Sequence, residues 1–249
     1  MSSFNQRYDE FLNNNQLPKN IETELTFERI YKENLCVTEI LTWYEEIKNS
    51  TKMQYAIIPL LECKGWELSG ETGSLVHESG SFFRVDGIRV TNTEGREVVG
   101  GWDQPILTQV GYDGGILGVL RAYIDGVPHY LVEAKSEPGN FGLTQITTTL
   151  QATFSNINQK HKGKRPKFTE YFVEPETSGV EVIYDIWMSE DGGRLLNKRN
   201  NFKLVHISEP CLIKHGHAHK WVDLRTLIEI NRMPGSIISP HLRCLLSIS

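Results

Sequence analysis

Hydrophobic and polar residues alternate along the chain with two different periods. "VTEILTWYEEIKN", residues 37–49, and "FNQRYDEFL" before it carry apolar residues at helical spacing. From about residue 55 the spacing alternates, as in β-strands. "WVDLRTLIEINRM" returns to helical spacing near the C-terminus. The pattern predicts helices at about 1–50 and 221–249 around a strand-rich middle, and therefore an α+β fold in a single domain over 1–249.

The middle of the chain contains several segments with the composition of strands. "SFFRVDGIRVTN" is interrupted by Asp86-Gly87 and predicts two strands with a bulge or turn between them. "TQITTTLQATF", "VEVIYDIWMS" and "NFKLVHI" are rich in β-branched and aromatic residues and predict further strands. The clearest hairpin joins "GILGVLRAYI" to "VPHYLVEAK" through Asp125-Gly126, a pair suited to the positive φ angles of a type I′ turn. At the C-terminus, "SPHLRCLLSI" predicts a helix with Ser239 as its N-cap.

Composition narrows the class of protein. The 249 residues are 39% hydrophobic, enough for a substantial core, and the net charge of -5 argues against nucleic acid or an anionic membrane as the main partner. There is neither an apolar N-terminal segment nor a run of about 18 apolar residues, so a cytoplasmic location is expected. The four cysteines are scattered without a CxxC pair and are expected to be reduced.

The strand within "HYLVEAKSEPGN" carries an unusual number of ionisable groups. Strand alternation puts His129, Glu133 and Lys135 on one face, while the other face is apolar. The loop that follows adds Glu137 and Asn140. One interpretation is the solvated outer face of a sheet. The other is a catalytic set, because a carboxylate beside a lysine and a histidine on a rigid strand suits proton abstraction next to a carbonyl.

Two further polar clusters each allow two interpretations. In "GGRLLNKRNNF", Arg194, Arg199 and Asn200 suit a diphosphate or a nucleobase edge, and the alternative is a solvated turn. In "GREVVGGWDQPIL", Trp102 and Gln104 suit a base or sugar, and the alternative is a buried core indole.

Metal chemistry is not predicted. The histidines of "HGHAH", residues 215–219, would share a face if extended, but the segment has the character of an exposed loop. "GREVV" resembles part of the Nudix hydrolase motif, but the Glu-Glu pair that would hold magnesium is missing.

Six segments occur in an order that resembles the NDP-hexose 2,3-dehydratases: "GSFFRVDGIRV", "REVVGGWDQPIL", "YLVEAKSEPGN", "LQATFSNI", "EYF" and "GGRLLNKRNNF". The resemblance runs from about Ile58 to Arg243. It implies a Nudix-like mixed β-sheet flanked by helices, and an NDP-4-keto-6-deoxy-glucose substrate, commonly the dTDP form. Members carry two tandem modules, whereas this chain carries one. We therefore expect a homodimer whose interface replaces the intramolecular one.

The reaction that the resemblance implies needs no cofactor, but it needs a base at C3, a cation at the C4 oxygen and a proton donor for the departing C2 hydroxyl. Glu133 or Glu137 is the predicted base, with His129 as the alternative. Lys135 is predicted to stabilise the enolate, and Tyr171 or His129 to protonate the leaving group. The residues predicted to bind the substrate are Trp102, Gln104, Asn140, Gln151, Asn156, Arg194, Arg199 and Asn200.

Two other functions fit the same residues. The first is a non-catalytic module that binds sugar nucleotides. The second is a 3,4-ketoisomerase, which would form the same enolate and retain the C2 oxygen. Because the diketo product of a dehydratase is labile, a downstream 3-ketoreductase is an expected partner.

Overall fold

The computed structural model describes residues 2–32, 35–111, 114–160 and 163–248. The helices are α1 (Phe4–Asn15), α2 (Ile21–Ile30), α3 (Val37–Ser50), α4 (Phe154–Ile157), α5 (Thr169–Val173), α6 (Leu224–Asn231) and α7 (Arg243–Ile248). The strands are β1 (Trp66–Leu68), β2 (Leu75–His77), β3 (Phe83–Val90), β4 (Trp102–Gln109), β5 (Gly115–Ile124), β6 (Val127–Ser136), β7 (Thr144–Thr147), β8 (Leu150–Thr153), β9 (Glu181–Ser189), β10 (Arg199–His206) and β11 (His219–Asp223).

A seven-stranded mixed sheet forms the centre of the molecule. Its strand order is β11-β6-β5-β10-β9, and β7 and β8 pair with β6 and β5 respectively. β10 runs parallel to β5, and the other pairs are antiparallel. Helices cover the sheet, so the predicted α+β class with a mixed sheet flanked by helices is confirmed.

A smaller antiparallel sheet, in the order β1-β2-β3-β4, lies beside the first. The segment before β10 joins the two sheets, because the Leu107 N–H donates to the Arg194 carbonyl at 2.9 Å and the Leu196 N–H donates to the Leu107 carbonyl at 2.9 Å. Residues 190–198 therefore run between the sheets, and their position defines one side of the cavity described below.

Both faces of β6 are covered, and its apolar face contributes most to the core. Tyr130, Val132 and Ala134 are buried in one cluster with residues of α3, α6 and α7. On the opposite face, α5 packs Phe172 so closely onto β5 that a Cβ at Gly118 would lie 2.6 Å from the Phe172 ring. Only glycine fits at that position.

Local sequence signals correctly predicted the β5–β6 hairpin and α3, but not the continuity of β3. The β5–β6 hairpin is confirmed, with φ angles of 50° at Asp125 and 78° at Gly126, as a type I′ turn requires. The helix predicted over 37–49 is confirmed as α3. The break predicted at Asp86-Gly87 is wrong, since β3 is continuous and pairs along its whole length with β4.

The predicted start of the C-terminal helix is also wrong. Residues 219–223 form β11, because their backbone completes the ladder beside β6. The helix begins one residue later, with Asp223 as N-cap accepting a hydrogen bond from the Thr226 N–H at 2.8 Å. The predicted capping residue Ser239 does accept a hydrogen bond from the Leu242 N–H, at 3.3 Å, ahead of α7.

Two broader properties follow from the described residues. Within these ranges, no helix is both long and apolar enough to cross a membrane. The four cysteines, all of them in described segments, form no disulfide.

Candidate active site

The central sheet forks where β5 and β6 separate. The two strands pair from Leu120 and Leu131 to the hairpin, and beyond that point β8 pairs with β5 and β7 pairs with β6. Thr149 closes the fork, because its hydroxyl accepts from the Leu120 N–H at 2.9 Å and donates to the Leu131 carbonyl. The polar ends of β6 and β8 therefore lie next to each other at the open side of the fork.

Lys135, Glu137 and Gln151 form one polar group at this position. Lys135 Nζ lies 2.9 Å from Glu137 Oε1, and Gln151 Nε2 donates to Glu137 Oε2 at 3.1 Å. Lys135 Nζ also donates to the Gln151 carbonyl at 3.3 Å, and Thr147 donates to Gln151 Oε1 at 3.0 Å. An ammonium and a carboxylate group at the end of β6 are thus held in fixed positions, with Gln151 of β8 hydrogen-bonded to both.

These side chains line a cavity of about 300 Å³ between the two sheets, a volume at the low end of the range for small-molecule sites. The described residues that line it are Phe83, Ile116, Leu117, Lys135, Glu137, Gln151, Ala152, Thr153, Asn156, Glu190, Leu195, Lys198, Asn200 and His241.

A second polar group of the cavity is centred on Glu190. Asn200 Nδ2 donates to Glu190 Oε1, and Lys198 Nζ donates to Asn200 Oδ1 at 2.7 Å. His241 Nε2 lies 3.6 Å from the same Glu190 oxygen. The pKa of Glu190 is lowered, first by the neighbouring His241 and also by Lys198 and Asn200, with burial opposing the shift. Glu190 is therefore a carboxylate at neutral pH.

Of the predicted substrate-binding residues, Gln151, Asn156 and Asn200 line the cavity. Asn140 lies in the adjoining loop, where its Nδ2 donates to the Lys135 carbonyl at 3.3 Å. The structure therefore places these four residues in or beside the cavity that Lys135 and Glu137 line.

Glu133 is placed differently from Glu137. It is half-buried on β6 between Thr147 of β7 and His219 of β11, and it is not among the described residues that line the cavity. Burial raises the pKa of the Glu133 carboxyl, and Lys135 opposes that rise. Of the two carboxylates predicted as the base, only Glu137 lines the cavity.

The structure does not bring His129 or Tyr171 to the cavity. His129 lies six residues before Lys135 on the same strand, about 20 Å away at the usual rise, and its Nδ1 is 2.9 Å from the Val127 carbonyl. Tyr171 packs beside Phe168 against the cluster that includes Ile116 and Ala152, and it is not among the described residues that line the cavity. Strand alternation placed His129 on the same face as Lys135, but a shared face does not bring the two ends of a strand together.

The remaining predicted binding residues lie around the segment that joins the sheets. Trp102 Nε1 donates to Gln104 Oε1 at 2.6 Å, and Gln104 Nε2 donates to the Gly193 carbonyl at 2.6 Å. Arg194 is exposed beside Asp191 at 3.0 Å, and the Arg199 guanidinium stacks 4.5 Å from the centre of the Trp187 ring. Gln104 therefore positions the segment that borders the cavity, and none of these four predicted residues is among the described residues lining it.

Glu190, Lys198, Phe83 and His241 line the cavity without having been predicted as site residues. The available signal was limited: Lys198 lay inside the predicted basic cluster, and Glu190 directly follows a strand, as Glu137 does. His241 follows Ser239 and Pro240 in a segment that has the pattern of an ordinary helix start.

The three histidines of residues 215–219 line one surface pocket but differ in burial. His219 is buried against Phe168, and burial lowers its pKa to about 4, while His217 is exposed 4.0 Å from Glu46. Within the described ranges, no group of three or more histidine, cysteine, aspartate or glutamate side chains is arranged to hold a metal ion.

Comparison with known proteins identifies relatives of this chain. The family model for NDP-hexose 2,3-dehydratase matches residues 37–248. Proteins named dTDP-4-dehydro-6-deoxy-alpha-D-glucopyranose 2,3-dehydratase are similar to it in Streptomyces violaceoruber (39% identity, 78% of this chain, 42% of the relative), Amycolatopsis orientalis (36%, 67% and 35%) and Saccharopolyspora spinosa (33%, 84% and 41%). The chain thus spans less than half the length of the curated relatives it matches.

Among solved structures, C. elegans Ap4A hydrolase is similar over 55% of this chain and 96% of the hydrolase chain. The sequence identity is 12% and the TM-score is 0.33. The family match contains every residue that lines the cavity. Because the matched region covers nearly all of the chain, the protein belongs to the NDP-hexose 2,3-dehydratase family.

Proposed function

We propose that this protein is a sugar-nucleotide 2,3-dehydratase that converts an NDP-4-keto-6-deoxy-glucose, with dTDP as the nucleotide, to the 3,4-diketo-2,6-dideoxy sugar. The observation that carries the proposal is the Lys135–Glu137 pair at 2.9 Å on the wall of a cavity formed by the family-matched region. The names of the three curated relatives support the substrate class.

The pair supplies two of the groups that the reaction requires. The C4 ketone acidifies the proton at C3, and the Glu137 carboxylate removes it. The electron pair moves to the C4 oxygen, where the Lys135 ammonium stabilises the enolate. Gln151 holds the Glu137 carboxylate at 3.1 Å, so the base is oriented before the substrate binds.

The substrate contacts follow from the rest of the cavity. Gln151, Asn156 and Asn200 present amide groups that suit sugar hydroxyls. Arg194, within the segment between the sheets, and Arg199, directly after it, remain predicted ligands of the diphosphate, and Trp102 remains a predicted ligand of the base or sugar.

The proposal is tested by incubating the purified chain with dTDP-4-keto-6-deoxy-glucose. We expect a product lighter by one water in mass spectrometry, with the diketo sugar trapped by a 3-ketoreductase. A product of unchanged mass with a moved carbonyl would assign a 3,4-ketoisomerase, and binding without turnover would assign a non-catalytic module. Either result contradicts the dehydratase proposal.

We also propose that the protein is a homodimer. Apolar side chains between residues 53 and 61 are exposed, including Tyr55 at 69%, Ile57 at 97% and Leu61 at 73%. A run of exposed apolar side chains is typical of an interaction surface. We assign a second copy of this chain as the occupant of this surface.

Replacing Ile57 with aspartate is expected to weaken the dimer by roughly tenfold or more, because a charge would enter the apolar contact. Light scattering after size-exclusion chromatography at several concentrations measures the change. Leu212→Asp, at a residue 64% exposed in another part of the surface, is the matched control. A parent protein that is monomeric at every concentration, or an unchanged Ile57→Asp dimer, contradicts the assignment.

Two predictions accompany the function. The labile diketo product calls for a downstream 3-ketoreductase, and the cytoplasm is the proposed compartment. Cysteines that form no disulfide fit a reducing environment.

A further inference from the structure

The dehydration needs a proton donor at C2, and the residues predicted for that role, His129 and Tyr171, are not among the described residues that line the cavity. We propose that His241 protonates the departing C2 hydroxyl and that Glu190 is the positioning residue that orients its ring. The inference rests on the proposed dehydratase function and assigns a step that the Lys135–Glu137 pair leaves without a donor.

His241 lies in the cavity because two distant parts of the chain meet there. It precedes α7, whose Leu245 is buried in the core, while Glu190 directly follows β9. The ring and the carboxylate are both about three-quarters buried, with exposed fractions of 29% and 22%. Among the described residues that line the cavity, His241 is the one histidine, the side chain best suited to proton transfer near neutral pH.

Glu190 orients the His241 ring. Its Oε1 faces His241 Nε2 at 3.6 Å, and Asn200 donates to the same oxygen. Asn200 is itself held by Lys198 at 2.7 Å, which fixes the carboxylate in place. With Nε2 directed at Glu190, Nδ1 is the nitrogen through which the imidazolium can give its proton to a ligand.

The proposed elimination transfers two protons. Glu137 takes the C3 proton, and the electron pair resides on the C4 oxygen. When the pair returns, the C2–C3 double bond forms, the C2–O bond breaks, and the oxygen leaves as water with the proton of His241. The 3-hydroxy-2,3-ene that results tautomerises to the 3,4-diketo sugar. Glu137 is then protonated and His241 neutral, and both return to their starting state by proton exchange with solvent.

Two measurements on one protein separate the base from the acid. In deuterium oxide, C3 exchange reports proton removal, and water loss reports the complete elimination. We expect His241→Gln to retain C3 exchange within about threefold and to lose water at least tenfold more slowly, at the low end of the effect of a general acid. Glu190→Gln is expected to show the same split with a smaller loss, since it acts only through His241.

A changed leaving group provides a second, independent readout. In the 2-deoxy-2-fluoro analogue of the substrate, fluoride leaves as an anion and depends less on a proton donor. We expect His241→Gln to release fluoride at a rate close to the parent. A role of His241 in folding alone would slow both leaving groups equally.

The matched control is His77→Gln, which removes a histidine from β2 in the small sheet, outside the cavity. If exchange and water loss fall together in both His241→Gln and Glu190→Gln, or if water loss is unchanged in both, the assignment of His241 is overturned. A parent protein that neither exchanges C3 nor loses water contradicts the dehydratase function instead, so the two failures are distinguishable.

Discussion

Replacing Glu137 with glutamine is expected to slow C3 proton exchange and dehydration by about 10²–10⁴-fold, the usual contribution of a general base. Glutamine has the size of glutamate and can keep a hydrogen bond to Gln151, but it cannot accept the C3 proton. The fold should therefore persist while the chemistry is lost. The exchange measured by NMR in deuterium oxide, with thermal unfolding followed in parallel, separates these two effects.

The alternative base provides the most informative comparison. Glu133 is half-buried on β6, and its raised pKa is compatible with a base, but it does not line the cavity with Glu137. Glu67→Gln, on the exposed strand β1, is the matched control for removing a carboxylate. If Glu137→Gln exchanged at the parent rate while Glu133→Gln did not, Glu133 would be the base and Glu137 only a partner of Lys135.

The sequence predicted the part of the site that is local in the chain. The Asp125-Gly126 turn and the alternation along β6 are short-range signals. They place Lys135 at the end of β6 and Glu137 in the loop that follows it. Residues within one strand and its following loop keep their relation whatever the tertiary fold, and this part of the site was therefore predictable.

The other half of the site depends on long-range packing. Glu190 and His241 come together because β9 pairs with β10 in the central sheet while α7 packs into the core. The spacing of hydrophobic residues along the chain does not predict this contact. The sequence also did not predict the fork in the sheet, because the threonines at 147–149 have the pattern of a single strand. In the structure they form a turn between β7 and β8 that inserts between β5 and β6. In residues 219–223, ladder pairing with β6 outweighed a helical apolar pattern.

Replacing Arg121 with methionine is expected to lower the free energy of unfolding by about 3–5 kcal/mol, the usual cost of removing one partner from a buried ion pair. Arg121 on β5 is 2% exposed, and its Nη2 lies 2.5 Å from Glu24 and 2.8 Å from Glu28 on α2. Tyr130 on β6 donates to Glu28 at 2.6 Å. Methionine would fill the space and leave the carboxylates buried without a counter-charge.

The loss of stability in Arg121→Met should depend on pH, and the ionisation of Glu28 determines whether the loss grows or shrinks as pH rises. Burial raises its pKa from 4.5 to about 7, and Arg121 is the largest influence opposing that rise. Because the folded protein holds the Glu28 proton more tightly than the unfolded chain, stability contributed by this group falls as pH rises from about 4.5 through 7. Without Arg121 the pKa of Glu28 rises further, so the stability that this group contributes continues to fall at higher pH. Arg121→Met should therefore be more destabilising at pH 8 than at pH 5.

Urea unfolding followed by circular dichroism at both pH values measures the effect, and Arg96→Met, at an exposed arginine paired with Glu97, is the matched control. Adding Glu28→Gln to Arg121→Met should recover part of the stability at pH 8, because it removes the buried charge that arginine had neutralised. A loss that is equal at the two pH values and is not reduced by Glu28→Gln would mean that Arg121 acts through packing alone. The charge network between α2 and the sheet would then contribute nothing to holding α1 and α2, which precede the family-matched region, against the central sheet.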